Sequence, residues 1–243
     1  MNATHLASHL NLLKESLLEV LWPTRCIICD LPDHLICPQC LKHLPYIDYW
    51  QACKRCGAEY GQVLCCECNS MILATRGLEH YPLDGCVSVF RLTPTSRRIV
   101  TMYKDRNEKR LSLPLAHLLA NIIVPAWKHD AIICPIPARP SAKRRRGFDH
   151  METIAADLQA ISNMPYSALL QTTKGGDQRV LNAKERLKNM KDSFQIKPEV
   201  DTLPARVIII DDVLTTGSTL FAAAHTLKQA GVNEVFGVTL ARV

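Results

Sequence analysis

Four apolar residues in a row, Val207 to Ile210, stand directly before two acids, Asp211 and Asp212, and a hydroxyl- and glycine-bearing stretch, Thr215 to Thr219. An unbroken β-branched run suits a strand buried on both faces of a parallel sheet, because a half-exposed strand would alternate apolar with polar positions. Shorter apolar runs at Val87–Leu92, Ala131–Ile136, Ala168–Thr172 and Val235–Leu240 predict further strands. Between them, apolar residues recur at helical spacing over Thr95–Tyr103, Leu111–Ala126, Met151–Ser162 and Ser218–Gly231. Strands alternating with helices predict an α/β fold, a parallel sheet with crossover helices on its faces. The stretch Gly175–Asn189 carries lysines and arginines and has no apolar face, so it reads as a loop or linker.

The amino-terminal part is patterned differently. Leu6, Leu10, Leu13, Leu17, Leu18 and Leu21 form one apolar stripe, which predicts an amphipathic helix over residues 1–22. Packing on the body of the protein explains such a stripe; a membrane-surface helix would need a Lys/Arg-rich opposite face, which is lacking. Residues 23–70 are rich in cysteine and poor in large apolar residues, and residues 71–243 hold the α/β pattern. Three segments are therefore expected: helix, cysteine-rich module and main domain.

Composition excludes several classes. With 243 residues, 47% of them hydrophobic, the chain resembles a globular protein with room for one domain of ordinary size and a smaller one. Its longest apolar runs fall well short of the roughly 18 residues that suggest a membrane span, and Lys14, Glu15 and Glu19 interrupt the first leucine-rich segment. No signal peptide and no membrane insertion are expected, and the location expected is cytoplasmic. The net charge of +6 is modest, but Lys143, Arg144, Arg145 and Arg146 concentrate positive charge, which suits either a solvated turn or a phosphate-bearing partner.

Nine of the eleven cysteines lie between Cys26 and Cys68. They form four Cys-x-x-Cys pairs: Cys26 and Cys29, Cys37 and Cys40, Cys53 and Cys56, Cys65 and Cys68. Two intervening residues let both thiolates of a knuckle reach one Zn²⁺ at about 2.3 Å, and two knuckles complete a tetrahedron. Four pairs can close two structural zinc sites, the simplest being the first two pairs and the last two. An interleaved pairing fits the spacing equally, and Cys66 can replace Cys65. A disulfide framework is disfavoured in a reducing compartment, and redox exchange needs one such motif rather than four. A segment this poor in apolar residues would take much of its folding energy from metal. Cys86 and Cys134 read as small core residues.

In open α/β sheets ligands sit at the carboxyl ends of the strands, where Asp211 and Asp212 fall. The backbone N–H groups of Thr215, Thr216, Gly217, Ser218 and Thr219, leading into a helix, make an anion nest reinforced by the helix dipole. Adjacent carboxylates repel phosphate; they suit vicinal hydroxyls or a hydrated Mg²⁺. A sugar phosphate satisfies both halves.

Val207 to Thr219, four apolar residues, two acids and a Thr-Thr-Gly turn, resembles the thirteen-residue signature of type I phosphoribosyltransferases. In that family the stretch binds the ribose 5-phosphate part of phosphoribosyl pyrophosphate (PRPP), which implies roles for Asp211 and Asp212 on the ribose and for Val213, Leu214 and Thr215 to Thr219 on the phosphate. With the cysteine pairs, Tyr103–Lys104, the PIP of Pro135–Pro137, the RGF of Arg146–Phe148 and the polar Gln178–Phe194 stretch, the chain resembles the ComF family from about Cys26 to its end. That family consists of phosphoribosyltransferase-like proteins of bacterial competence and DNA use. The resemblance implies a Rossmann-like, type I phosphoribosyltransferase-like sheet with an amino-terminal zinc module. It implies that Pro135–His150 holds pyrophosphate with charge from Arg139 and Lys143–Arg146, that Lys104 joins the substrate site, and that Arg186 and Asn189 sit on a loop closing over substrate. Relatives usually read RGFNQ where this chain has Arg146-Gly147-Phe148-Asp149-His150, so Asp149 is expected to bring negative charge to the pyrophosphate loop.

Two functions follow from the resemblance. One is transfer of the pentosyl group of PRPP, with Mg²⁺ accompanying pyrophosphate, to an acceptor that the sequence does not identify. The other is a binding protein of DNA uptake that keeps the PRPP site for regulation or as a vestige. Lys54, Arg55 and the basic run would then follow single-stranded DNA, with Tyr46, Tyr49, Trp50 and Tyr60 as stacking residues and competence helicase or recombination proteins as partners.

Overall fold

The computed structural model describes residues 23–173 and 193–243. The expected helix over residues 1–22 and the positions Arg186 and Asn189 lie outside them. The chain divides into two compact units, Met1–Leu44 and Pro45–Val243. The two cysteine clusters therefore fall in different units.

In the larger unit the β-branched runs form the expected strands. β1 (Gly85–Arg91), β2 (Ala131–Pro135), β5 (Arg206–Leu214) and β6 (Glu234–Arg242) make one sheet in the order β1-β6-β5-β2, and every pairing is parallel. Three departures from the pattern reading have local causes. First, β5 does not stop at Ile210: β6 pairs with it as far as Leu214 opposite Arg242, while β2 leaves it at Pro135 opposite Ile210. Second, the run expected as a strand over Ala168–Thr172 shortens to β3 (Leu170–Thr172) and leaves the main sheet, pairing antiparallel with β4 (Phe194–Ile196). Third, the basic run is helical, because Pro140 occupies the first turn, where its missing N–H costs nothing, and Gly147 ends the helix at φ +76°.

Helices cover both faces of the sheet. In the smaller unit the described residues include the short helix α1 (Pro38–Lys42); in the larger unit α2 (Ser70–Thr75) precedes β1. Between β1 and β2 run α3 (Pro94–Lys104) and α4 (Ser112–Ile122), and α5 (Pro140–Arg146) and α6 (His150–Ser162) follow β2. α3 starts at a reciprocal cap in which the Thr93 and Ser96 side chains each accept from the other's backbone N–H. α4 packs on α6, and α6 on β2 and β5, whereas α7 (Ser218–Gln229) packs with β4, β5 and β6. Val207, Ile209, Val235 and Cys134 join Leu220, Ala223, Ala224 and Leu227 of α7 in one core. With side chains alternating across a strand, Ile208 and Ile210 face the opposite layer. All four of these β5 residues are fully buried, which accounts for the continuous apolar run. Cys86 and Cys134 are fully enclosed core residues, and burial pushes both thiols up to about 12. Among the described residues no helix is long and apolar enough to cross a membrane.

Candidate functional site

The cysteines assemble without interleaving. Cys26, Cys29, Cys37 and Cys40 form one group and Cys53, Cys56, Cys65 and Cys68 another, the ligand atoms of each group lying within 4.8 Å of one another. Cys66 is exposed and outside both. Sulfur separations of 3.6 Å between Cys29 and Cys37, 3.6 Å between Cys53 and Cys68 and 3.5 Å between Cys56 and Cys65 are close to the edge of a tetrahedron. For Zn–S bonds of about 2.3 Å that edge is roughly 3.8 Å. All eight are free thiols. Burial alone would raise the Cys26 and Cys53 thiols, but backbone N–H groups of the knuckles, from Cys37, Cys29 and Ile28 and from Cys56 and Arg55, bring them down to about 6 and about 7. Each donor set fits one Zn²⁺ in a closed, structural site.

The knuckles are built by tight local bonding. In the smaller unit Cys26 N–H reaches Leu31 O at 2.7 Å and Asp30 N–H returns to Cys26 O at 2.8 Å. In the larger unit Cys53 N–H donates to Ala58 O and Gly57 N–H to Cys53 O, both at 2.8 Å. Gly57 holds φ +73°, and a Cβ there would lie 2.7 Å from Cys86 O, so this knuckle presses against the start of β1. Arg242, the last residue of β6, is buried, donates to Cys56 O at 2.7 Å and pairs with Glu67. The sheet therefore anchors the second cluster, which explains why the unit boundary falls at Leu44 rather than after the last cysteine.

The second site lies where β5 runs past the end of β2. Beyond Ile210 only β6 continues alongside, so Asp211 and Asp212 stand on an edge that β2 has vacated. Both are buried, 8% and 6% exposed, which is unusual for carboxylates and costly unless they are partnered. Asp212 has partners: its Oδ2 pairs with Lys104 Nζ from the end of α3 and receives His150 Nε2 at 3.1 Å from the start of α6. Burial would raise the Asp212 carboxyl, yet His150 and Lys104 together hold it well below the usual carboxylate range. Asp211 goes the other way. Burial and then the charge on Asp212 push it up to about 8, and its Oδ1 accepts from Asp212 N–H at 2.8 Å. Of the two, Asp212 is the one whose negative charge the fold stabilises.

Val213 is half-buried and Leu214 buried as β5 ends, and Thr215, Thr216 and Thr219 are exposed around the turn. Gly217 sits at φ +81° as the N-cap of α7 and has no side chain to cap it, while Ser218 N–H, the first of the helix, donates to Thr216 Oγ1 at 3.4 Å. Thr216 Oγ1 and Ser218 Oγ lie 2.6 Å apart. The turn thus presents hydroxyls and a glycine-capped helix N-terminus close to Asp211 and Asp212 in sequence, a combination suited to an anion bearing a hydroxylated group.

The basic segment is split by its environment. Arg139, Lys143, Arg144 and Arg145 are exposed, with Lys143 3.4 Å from Glu152. Arg146 turns inward: its side chain is only 8% exposed, Nη1 meets His150 Nδ1 at 3.2 Å and Nη2 meets Asp105 at 3.4 Å. Asp149 is also buried. Its carboxylate caps α6 through the N–H groups of Met151 and Glu152 and accepts Ala138 N–H at 3.0 Å. Its charge is therefore engaged by three backbone donors, and the negative charge expected at the pyrophosphate loop is held within the fold. His150 and Asp105 were not among the residues singled out by sequence. The departure Asp149-His150 was the available signal, and its meaning depended on contacts 62 residues apart along the chain.

Around the second cysteine cluster Trp50 and Tyr60 are 72% and 73% exposed. Lys54 Nζ lies 3.5 Å above the Tyr49 ring, which meets Trp50 edge-on at 5.7 Å.

No protein-family model matches the chain. It is 27% identical over 230 residues to Competence protein F of Haemophilus influenzae, spanning 90% of this chain and 96% of the relative. It is 25% identical over 226 residues to DNA utilization protein YhgH of Salmonella typhimurium, covering 88% and 94%. It is 24% identical over 210 residues to Competence protein ComFC of Streptococcus pneumoniae, covering 86% and 89%. Among solved structures it resembles a hypoxanthine phosphoribosyltransferase of Staphylococcus aureus, with TM-score 0.34, 19% identity and coverage of 55% of this chain and 64% of that one. It also resembles the orotate phosphoribosyltransferase of Aeropyrum pernix, with TM-score 0.32, 18% identity and coverage of 71% and 78%.

Proposed function

On the premise that the chain resembles competence and DNA-utilisation proteins of the ComF type along 90% of its length, we propose that it binds PRPP and serves DNA uptake or use. The observation that carries this reading is the buried, partnered Asp211–Asp212 pair on the vacated edge of β5, followed by a glycine-capped helix N-terminus. The turn Thr215–Thr219 would hold the 5-phosphate with backbone N–H groups, and the carboxylates would accept from the vicinal ribose hydroxyls. Lys104, already at Asp212, and the exposed Arg139 offer positive charge toward pyrophosphate. Mg²⁺, entering with pyrophosphate, would neutralise charge on the leaving group. The chain's own contribution is to position the ribose and stabilise charge that develops as the C1–O bond breaks, so no covalent nucleophile is required.

The test is calorimetric titration of the zinc-loaded protein with PRPP and Mg²⁺, repeated on Asp212→Asn. Wild-type binding that the variant loses by tenfold or more supports the assignment; absence of wild-type binding, or equal affinity in both, overturns it. Pyrophosphate release on adding nucleobases distinguishes turnover from binding alone. A second reading, a single-stranded DNA-binding protein that keeps the PRPP site as a sensor, is favoured by the exposed Trp50, Tyr60 and the Lys54–Tyr49 pair on the second knuckle. Under that reading DNA affinity falls steeply with salt, and Trp50→Ala weakens it.

A further inference from the structure

We propose that His150 is a positioning residue for Asp212, set in the required tautomer by the buried guanidinium of Arg146. This inference rests on the sugar-phosphate reading of the Asp211–Asp212 site. Arginine has only donors, so where Arg146 Nη1 meets His150 Nδ1 at 3.2 Å the ring nitrogen must accept. The ring proton then sits on Nε2, which donates to Asp212 Oδ2 at 3.1 Å. Lys104 pairs with the same oxygen, so both donors engage Oδ2. Among the described residues Oδ1 has no partner, and it is the atom left to accept from a ribose hydroxyl.

Three further contacts, from the end of α3 and the start of α6, hold this relay in place. Tyr103 O–H donates to His150 O at 2.6 Å, Asp149 caps the helix on which His150 stands first, and Asp105 receives Arg146 Nη2 at 3.4 Å. The Arg146 side chain is 8% exposed, and its Nε is buried with no hydrogen-bond partner among the described residues. An arginine buried with one N–H unsatisfied is a poor choice for stability alone. It is understandable where its charge must face a particular imidazole nitrogen. Glutamine can reproduce the arrangement, since its amide N–H₂ can donate to Asp212 while its carbonyl accepts from Arg146, whereas leucine preserves bulk and supplies neither.

Two measurements test the proposal. In the ligand-free protein labelled with ¹⁵N-histidine, the His150 ring signals, assigned by their loss in His150→Gln, should show the Nε2–H form. An Nδ1–H form overturns the relay whether or not PRPP binds. In PRPP titration, His150→Leu should weaken binding by about ten- to a hundredfold, the loss of one charge-assisted hydrogen bond, and His150→Gln should recover affinity to within about threefold of wild type. Wild-type affinity in His150→Leu, or equal loss in both variants, would show that His150 only fills space. If the wild-type chain binds no PRPP, the functional reading fails separately, and the tautomer still decides the relay.

Discussion

Substituting Gly217 by alanine tests the geometry of the turn between β5 and α7. The residue sits at φ +81°, where a Cβ meets the backbone, and the Cβ would come 2.5, 2.8 and 2.9 Å from three carbons of the Phe221 ring. A left-handed conformation costs a non-glycine residue about 1–2 kcal/mol, and forcing atoms into a packed region costs about 1–3 kcal/mol. Phe221 is 8% exposed, lies in the α7 core and packs edge-on against Tyr81 at 5.2 Å, so its ring has little room to withdraw. Gly217→Ala should therefore lower stability by about 2–5 kcal/mol in guanidinium unfolding. Repeating the substitution in a Phe221→Leu background removes the steric part. The cost of Gly217→Ala there should fall to the backbone share of about 1–2 kcal/mol. An equal cost in both backgrounds would refute the ring contact as the cause, and a cost under about 0.5 kcal/mol would refute the strained turn altogether.

Two further outcomes follow from the cysteine clusters and the buried acids. Cys29→Ser should reduce bound zinc from two equivalents to one by elemental analysis, because the two ligand groups share no cysteine; loss of both equivalents, or of neither, would contradict the grouping. Asp211 should make stability depend on pH. Its folded carboxyl is raised to about 8 from an ordinary value near 4, so its contribution is fully present below about pH 4 and is lost as pH rises toward 8. Asp212, held low, works in the opposite sense, and its contribution is lost only on acidification below about pH 4. Denaturation midpoints between pH 5 and 9 should therefore fall in the wild type and flatten in Asp211→Asn; an unchanged slope would mean that Asp211 ionises like an exposed carboxylate.

Much of the framework was written locally. The β-branched run Val207–Ile210 needed two buried faces, and the structure supplies α7 on one side and the α4–α6 layer on the other. The Cys-x-x-Cys spacing fixed knuckle geometry because both sulfurs of a knuckle are placed by a few backbone dihedrals. Gly217 belonged to a turn signature and adopts the left-handed conformation that such a turn demands. These features depend on interactions over a few residues, so sequence order is enough to express them.

Other features were decided by partners distant along the chain. Where β5 ends was set by β6, which continues beside it to Leu214, and where the site opens was set by β2, which does not. Which cysteine pairs share a cluster was left open by spacing and resolved by the fold, and Arg242 tied the second cluster to the sheet from 186 residues away. Arg146 was expected, with the rest of the basic run, to supply charge toward pyrophosphate. That its side chain is buried against His150 and Asp105 is a fact of the fold which the run does not express. Most telling is Asp212, whose charge is governed by Lys104 and His150, 108 and 62 residues distant in the chain. The sequence by itself determined which residue types stand at the end of the strand. Only the tertiary structure decided their ionisation, because desolvation and charge pairing depend on what surrounds a carboxylate in space.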